Sequence, residues 1–387
     1  MVERINEIGD EIKTLNISIR HYESNGVENA NDLRDQRNLL LDELGKLVNI
    51  TYREDAGGVV TVNVEGTTFL TEDKVFYMGV EKTSPGSDLL APVWPSHKGN
   101  KVFNFNRVPS SEANTDIGNL KGLLIAMGDG HANYTDIPIR LTPEGENPAN
   151  VEEYNLRTAP STIKSVQAEF DQLIHGIVTK INDVLCPNKT AADGTIVFDE
   201  SKAPITADGS SRIELFKRKA MERYTHDDTR PIGEQWVYNK EDEDDNHSLY
   251  TLGEIEINPT ILEDYAKIAL SSNTGSGDYD VDAVEALITK WQEPFATLTP
   301  NTLTYYNVTG YYNAFISGLA NRGEQYHSIS NNQATMVASI DNKRMEITAV
   351  SSDEELTNMI RFQHSYNAAA RYVNVIDEML EHIIMNL

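Results

Sequence analysis

Asp278, Asp280 and Asp282 alternate in "DYDVDAVEALIT", the way a calcium loop begins when carboxylates at positions one, three and five reach one cation. The pattern then breaks. Position six is Ala283, where glycine makes the sharp turn, and position twelve is Thr289, where a bidentate Glu closes the shell. The simpler chemistry is negative charge at the start of the next helix, where unpaired backbone amides favour it. Other candidates fail in the same way. The nine histidines are scattered, none at ligand spacing with another His or with Cys186, and no H-E-x-x-H supplies a helix-mounted zinc pair. "GDGH" (128–131) and "GSG" (275–277) lack the Lys-Ser/Thr or third Gly of a phosphate loop and read as turns. No G-x-S-x-G holds a nucleophilic serine. Cys186, just before Pro187, is expected to be a small buried apolar group. The run "EDEDDN" (241–246) reads as a solvated loop. Carboxylates are so numerous that no glycosidase-like pair can be singled out. The expectation is no enzyme, with no catalytic, cofactor or metal site.

Composition agrees with a structural role. The 387 residues suffice for two or three domains, and 39% hydrophobic with 24% charged residues are globular values. A net charge of −27 excludes a counterion-displacing nucleic-acid binder and disfavours anionic membranes. A single cysteine rules out an intramolecular disulfide framework. No apolar run approaches the length of a membrane span, and "MVERINEIGDEIK" has no signal-peptide core.

The elements themselves are more informative. Near the C-terminal end, Met359, Tyr366, Val373, Leu380 and Leu387 recur every seven residues, and Phe362, Ala369, Ile376 and Ile383 recur three places later. That is a coiled-coil seam, and Ser352 with Glu355 fits a capping box at its start. Ile5, Ile8, Ile12, Leu15, Ile19 and Tyr22 step by three and four at the other end. Past Gly26, a second helix carries Leu33, Leu40, Leu44 and Leu47, capped by Asn31 or Asp32. "GGVVTVNVEG", "KVFYMGVEKT" and "KVFNFNRVP" then alternate as strands, "IGNLKGLLIAMGDG" reads as a short helix and 129–160 as an exposed loop. Val166, Phe170, Leu173, Ile177, Ile181 and Val184 form a stripe that Pro187 stops. "GTIVF" reads as a strand, while "RIELFKRKAMERY", "NPTILEDYAKIAL" and "DAVEALITKW" read as helices. From about 303 the chain is helical, with Leu319, Tyr326, Ile329, Met336 and Ile340 sharing seam positions with Arg322, Gln333 and Lys343.

The expected class is α+β: a long coiled-coil-like helical bundle from both chain ends, with an inserted antiparallel β-domain and a mixed insert. The expected divisions are 1–50, an N-terminal helical hairpin; 51–160, β-rich; 161–187, a rod helix; 188–300, a mixed α/β insert; and 301–387, C-terminal rod helices. Residues 3–48 and 303–387 are expected to share the bundle.

"ANDLRDQRNLLLDELGKLVNI" and the ending "EELTNMIRFQHSYNAAARYVNVIDEMLEHII" resemble the family of flagellar hook-associated protein 1, the first hook–filament junction proteins. "DIGNLKGLLIAMGD" and "NPTILEDYAKIAL" resemble further stretches of that family, in the family's order, while 188–300 resembles nothing nameable. One departure is clear: the family's Asn-rich N-terminal helix with its "NTPGY"-like stretch has no counterpart, so the chain is expected to begin partway through the rod. The resemblance implies an axial structural component of the bacterial flagellum. It would be extracellular, exported unfolded through the flagellar type III channel without a cleaved signal peptide. It implies self-association in a ring, contacts with hook protein and the second junction protein, and a cytoplasmic export chaperone. The expected interaction residues are Met359, Phe362, Tyr366, Val373, Ile376, Leu380 and Ile383. Two other classes stay open on the residues alone: a secreted coiled-coil adhesin or effector with a β-rich binding domain, and an enzyme housed in 188–300.

Overall fold

The computed structural model describes residues 1–24, 26, 29–83, 88–105, 110, 112, 115–138, 148–271, 281–348 and 352–385, the side chains of 148–149, 281, 347–348, 352 and 380–385 excepted. The chain divides into two compact units, Met1–Ser317 and Gly318–Leu387.

The first unit begins with α1 (Val2–Glu23) and α2 (Asn31–Leu47). The three–four spacing of Ile5, Ile8, Ile12 and Ile19 puts all four on one buried face of α1, while Leu15 is half-buried and Tyr22 exposed. Neither Asn31 nor Asp32 caps α2. Ala30 holds that position with no side-chain cap, and its amide donates to the Glu23 carboxylate (2.9 Å), which satisfies one free helix-start donor from outside. Arg4 ties the hairpin together by bonding Glu43 through Nε (2.8 Å) and Nη2 (2.9 Å).

Two small antiparallel sheets come next. The first has the order β1 (Ile50–Glu54), β2 (Val60–Val64), β3 (Thr67–Leu70), with Ile50 opposite Val64 and Glu54 opposite Val60. The second has the order β4 (Gly79–Lys82), β5 (Leu90–Trp94), β6 (Asn100–Lys101). Val60, Val62 and Val64 point inward at period two and meet α1, α2 and α3 (Asn119–Met127) in one core with Phe69, Trp94, Leu120 and Leu124. Gly9 makes this approach possible: a Cβ there would lie 2.7 Å from Phe69 Cζ. Two asparagines of α1 bracket strand backbone. Asn6 accepts from Met78 N and donates to Met78 O, both at 2.9 Å, and Asn16 does the same to Val60 (3.1 and 2.9 Å).

The segment expected as an exposed loop is only partly so. Residues 139–147 lie outside the described residues, but Tyr134, Ile137 and Tyr154 are buried, and α4 (Pro148–Glu153) runs into a π-turn over Tyr154–Thr158. Ile137 and Tyr154 pack on Ala168 of α5 (Thr162–Leu185), an apolar anchor that a polar-rich composition hides.

α5 is the support on which the mixed insert is built. The insert comprises a sheet of order β10-β11-β8-β7, from β7 (Asn188–Thr190), β8 (Ile196–Phe198), β10 (Tyr224–His226) and β11 (Trp236–Tyr238), and a β12-β9 pair, from β9 (Phe216–Arg218) and β12 (Ile255–Ile257). The helix expected at "RIELFKRKAMERY" is not formed; β9 and β10 occupy it. The reason is tertiary. Arg218, fully buried, donates to the carbonyls of Ser248 (2.6 Å), Glu222 (3.2 Å) and Asn239 (3.0 Å), and Asn182 of α5 pairs with Phe216 N (3.1 Å) and O (2.7 Å). Those bonds need extended chain, so local helix propensity is overridden.

"NPTILEDYAKIAL" forms α6 (Pro259–Glu263), with Asn258 capping Thr260 N, and then a 3₁₀ turn at Tyr265–Lys267. α7 (Val281–Gln292) has Asp282 in its first turn, as the charge reading expects, whereas Asp278 and Asp280 lie outside the described residues. Lys180 of α5 donates to the carbonyls of Lys290 (2.7 Å) and Glu293 (3.0 Å), closing α7's C-terminal end. Gly176 leaves room beneath Phe295, whose ring carbon would stand 2.2 Å from a Cβ there. α8 (Val308–Thr348) starts in this unit with Val308, Tyr311 and Phe315 packed among Leu173 and Ala296. In the second unit it continues, and α9 (Ser352–Met385) comes after it. The class is α+β.

Candidate assembly surface

Enzyme-like chemistry has little to work with. Among the described residues no group of three or more His, Cys, Asp or Glu could hold a metal. Cys186 is buried, and burial pushes its thiol up to about 12, so the nucleophilic thiolate is scarce at neutral pH. A polar cluster on α5 is held by hydrogen bonds. Asp171 accepts from Tyr134 N (3.0 Å) and Leu252 N (2.7 Å), His175 pairs with Glu241 (3.0 Å), and Glu241 also accepts from Tyr250 N (2.8 Å). Glu241, the first residue of the run expected to be solvated, is thus half-buried against α5. Burial pushes the Asp171 carboxyl up. Burial pushes on Glu241 as well, but the His175 bond and charge outweigh it and hold that carboxyl below its usual value. These groups fasten segments to α5.

α9 offers a different kind of site. No Gly or Pro interrupts it, its first turn carries Asp353, Glu354 and Glu355 at the positive helix end, and 34 residues make a rod about 50 Å long. The side chain of Ser352 lies outside the described residues, so the expected capping box is not visible. Met359, Phe362, Tyr366, Val373 and Ile376 are 40–75% exposed. Leu380 and Ile383 belong to the same helix, with side chains outside the described residues, and Leu387 lies outside them altogether.

The seam was legible; its width was not. Tyr372, Val375 and Met379 are exposed too, at the same three–four spacing. At about 100° per residue they sit beside the seam, so the apolar arc covers about half the circumference in the helix's second half. In the first half, Thr357 and Ser365 turn their hydroxyls back to Asp353 O (2.8 Å) and Arg361 O (2.9 Å). On α8, Tyr326, Ile329, Met336 and Ile340 are exposed, joined by Val337 and Met345, which lie off the expected seam. Among the described residues of 318–387 none is buried. A soluble monomer seldom leaves this much contiguous apolar surface uncovered without a partner for it.

Comparison with known proteins decides the family. The model for "Flagellar hook-associated protein FlgK helical domain" matches residues 1–194, half of the chain. The chain belongs to the FlgK family. A second model, "Flagellar basal body rod FlgEFG protein C-terminal", matches residues 342–387, which takes in all of α9. Flagellar hook-associated protein 1 of Bacillus subtilis is 24% identical over 98% of this chain, and that of Escherichia coli 22% over 99%. The chain spans 63% and 69% of the length of these two relatives. The structure of the flagellar hook junction protein FlgK from Burkholderia pseudomallei resembles it in fold, with a TM-score of 0.50 at 13% identity, covering 90% of this chain and 83% of that one. The FlgK family is one of structural flagellar components, not of enzymes.

Proposed function

We propose that this FlgK-family chain is an axial subunit at the junction between flagellar hook and filament. Its partners are the hook protein, the second junction protein and further copies of itself in a ring. Export unfolded through the flagellar type III channel, and an extracellular location reached without a cleaved signal peptide, belong to the same reading. So do the divisions 1–50, 51–160, 161–187, 188–300 and 301–387, with the helices of both chain ends pairing as a coiled-coil bundle in the assembled state. The observation that carries it is the exposed apolar arc of α9 in a chain whose family is flagellar. Met359, Phe362, Tyr366, Val373, Ile376, Leu380 and Ile383 are its contact residues.

Before export, the same face suits a cytoplasmic chaperone that takes an amphipathic helix in a groove. Burying one large apolar side chain is worth about 1.5–3 kcal/mol, so losing two weakens capture well over tenfold. The double variant Val373→Asp, Ile376→Asp tests this directly. Chaperone binding, measured by calorimetry, should be abolished while the 1–317 unit keeps its unfolding transition. Binding as tight as the parent's would remove α9's seam as the contact.

A further inference from the structure

A groove of about 590 Å³ runs between α1 and α2, away from the sheet that covers the isoleucine face of α1. Its apolar floor is Leu15, Leu39 and Leu40, and its edges are Asp10, Glu11 and Glu43. Leu41 and Leu44 of the same helix turn into the core, whereas Leu39 is 68% exposed. We infer that this groove docks a helix of another protein, one that presents leucine-like residues at three–four spacing flanked by lysine or arginine.

Shape argues for a helix. Two antiparallel helices leave a trough between their ridges, and a third helix fills such a trough with one row of side chains. Charge argues for a basic one and against a second copy. Three carboxylates and no cation line the groove. Arg4, at one end, touches Glu43, Glu11 (2.9 Å) and Glu7 (3.3 Å), and Lys46 acts on Glu43, so two cations meet Glu7, Asp10, Glu11 and Glu43 and the site stays negative. The Asp10 carboxylate accepts from the neutral Tyr77 hydroxyl (3.0 Å), and Thr14 turns its hydroxyl to Asp10 O. Two chains of net charge −27 repel at long range, while a basic helix is drawn in. The groove is a different surface from α9, and the docked helix belongs to the unassembled chain, before the hairpin enters the bundle proposed above.

The test uses the full chain with labelled Leu, Ile and Val methyls and two synthetic peptides of sixteen residues. One carries leucines at i, i+3 and i+7 with lysine flanks, and the other replaces each lysine by glutamate. The basic peptide should shift the methyls of Leu15, Leu39 and Leu40, and the acidic one should not. Salt should weaken the binding. Leu39→Ser, at an exposed position that leaves the fold intact, should weaken it about tenfold, and Gln36→Lys, which places a cation in the groove, at least fivefold. Equal binding of the two peptides, shifts confined to α9 methyls such as Val373, no loss in Leu39→Ser, or groove shifts driven by protein concentration alone would each overturn the inference.

Discussion

α1 and α9 carry the same three–four apolar spacing and meet opposite fates. In α1, Ile5, Ile8, Ile12 and Ile19 are fully buried, the first three because Phe69, Val60, Val62 and the leucines of α2 pack with them in one core. In α9, Met359, Phe362, Tyr366, Val373 and Ile376 face outward, and none of the described residues of its unit is buried. Periodicity therefore states that a helix needs a cover and says nothing about where the cover comes from. For α1 it is the chain's own sheet. For α9 none of the described residues of its own unit supplies one, and we propose that another molecule does.

The sharpest way to break this contrast is to cut each face in turn. Phe69→Ala removes a ring that sits on Gly9 and Trp94 and should destabilise the first unit by about 3–5 kcal/mol in urea unfolding. A loss under about 1 kcal/mol would mean that the α1 face is not the core it looks to be.

A middle-sized effect belongs to the polar fastening on α5. Glu241→Gln weakens a charge-assisted bond to His175 and should cost about 1–2 kcal/mol near neutral pH. The sign with pH comes from the cause. Because Glu241 is held below its usual 4.5, its contribution is present above that value and lost as pH falls through the folded one. Asp171, pushed up by burial, tilts the other way, since its protonated form is favoured in the fold. Urea midpoints between pH 3 and pH 6 should therefore fall less steeply in Glu241→Gln than in the parent. Parallel curves would show that the pair adds nothing.

The smallest effect should come from α9. Phe362→Ala, 73% exposed in the parent, should move the stability of the isolated chain by less than about 0.5 kcal/mol. A loss comparable with that of Phe69→Ala would place α9 inside a core and dissolve the comparison.

These contrasts also show what was readable in the residues. Helices and strands with a strict period were legible: α1, α2, β2, α3, α5 and α9 fall where the pattern puts them. The candidate surface was legible as a seam, because spacing alone defines it, but the seven-residue rows alone do not take in Tyr372, Val375 and Met379. The insert was the least legible part. Its chain direction is set by Arg218 reaching three carbonyls and by Asn182 reaching a strand, contacts that span 4 to 34 positions and leave no local signature. The acidic run is exposed over 242–246 as expected, and only Glu241 departs, because a histidine 66 residues away faces it.

The brackets made by Asn6 and Asn16 bear on aggregation. Past the last pairing with β3, Val62 with Leu70, the backbone of β2 at Val60 points its N–H and C=O at nothing in its own sheet, and the Asn16 amide takes both. Met78, beside the edge strand β4, is closed by Asn6 in the same way. An open pair of this kind is a template on which another chain can add a strand. By lending a side-chain amide where a neighbouring strand would bond, α1 blunts two such templates, at Val60 and at Met78.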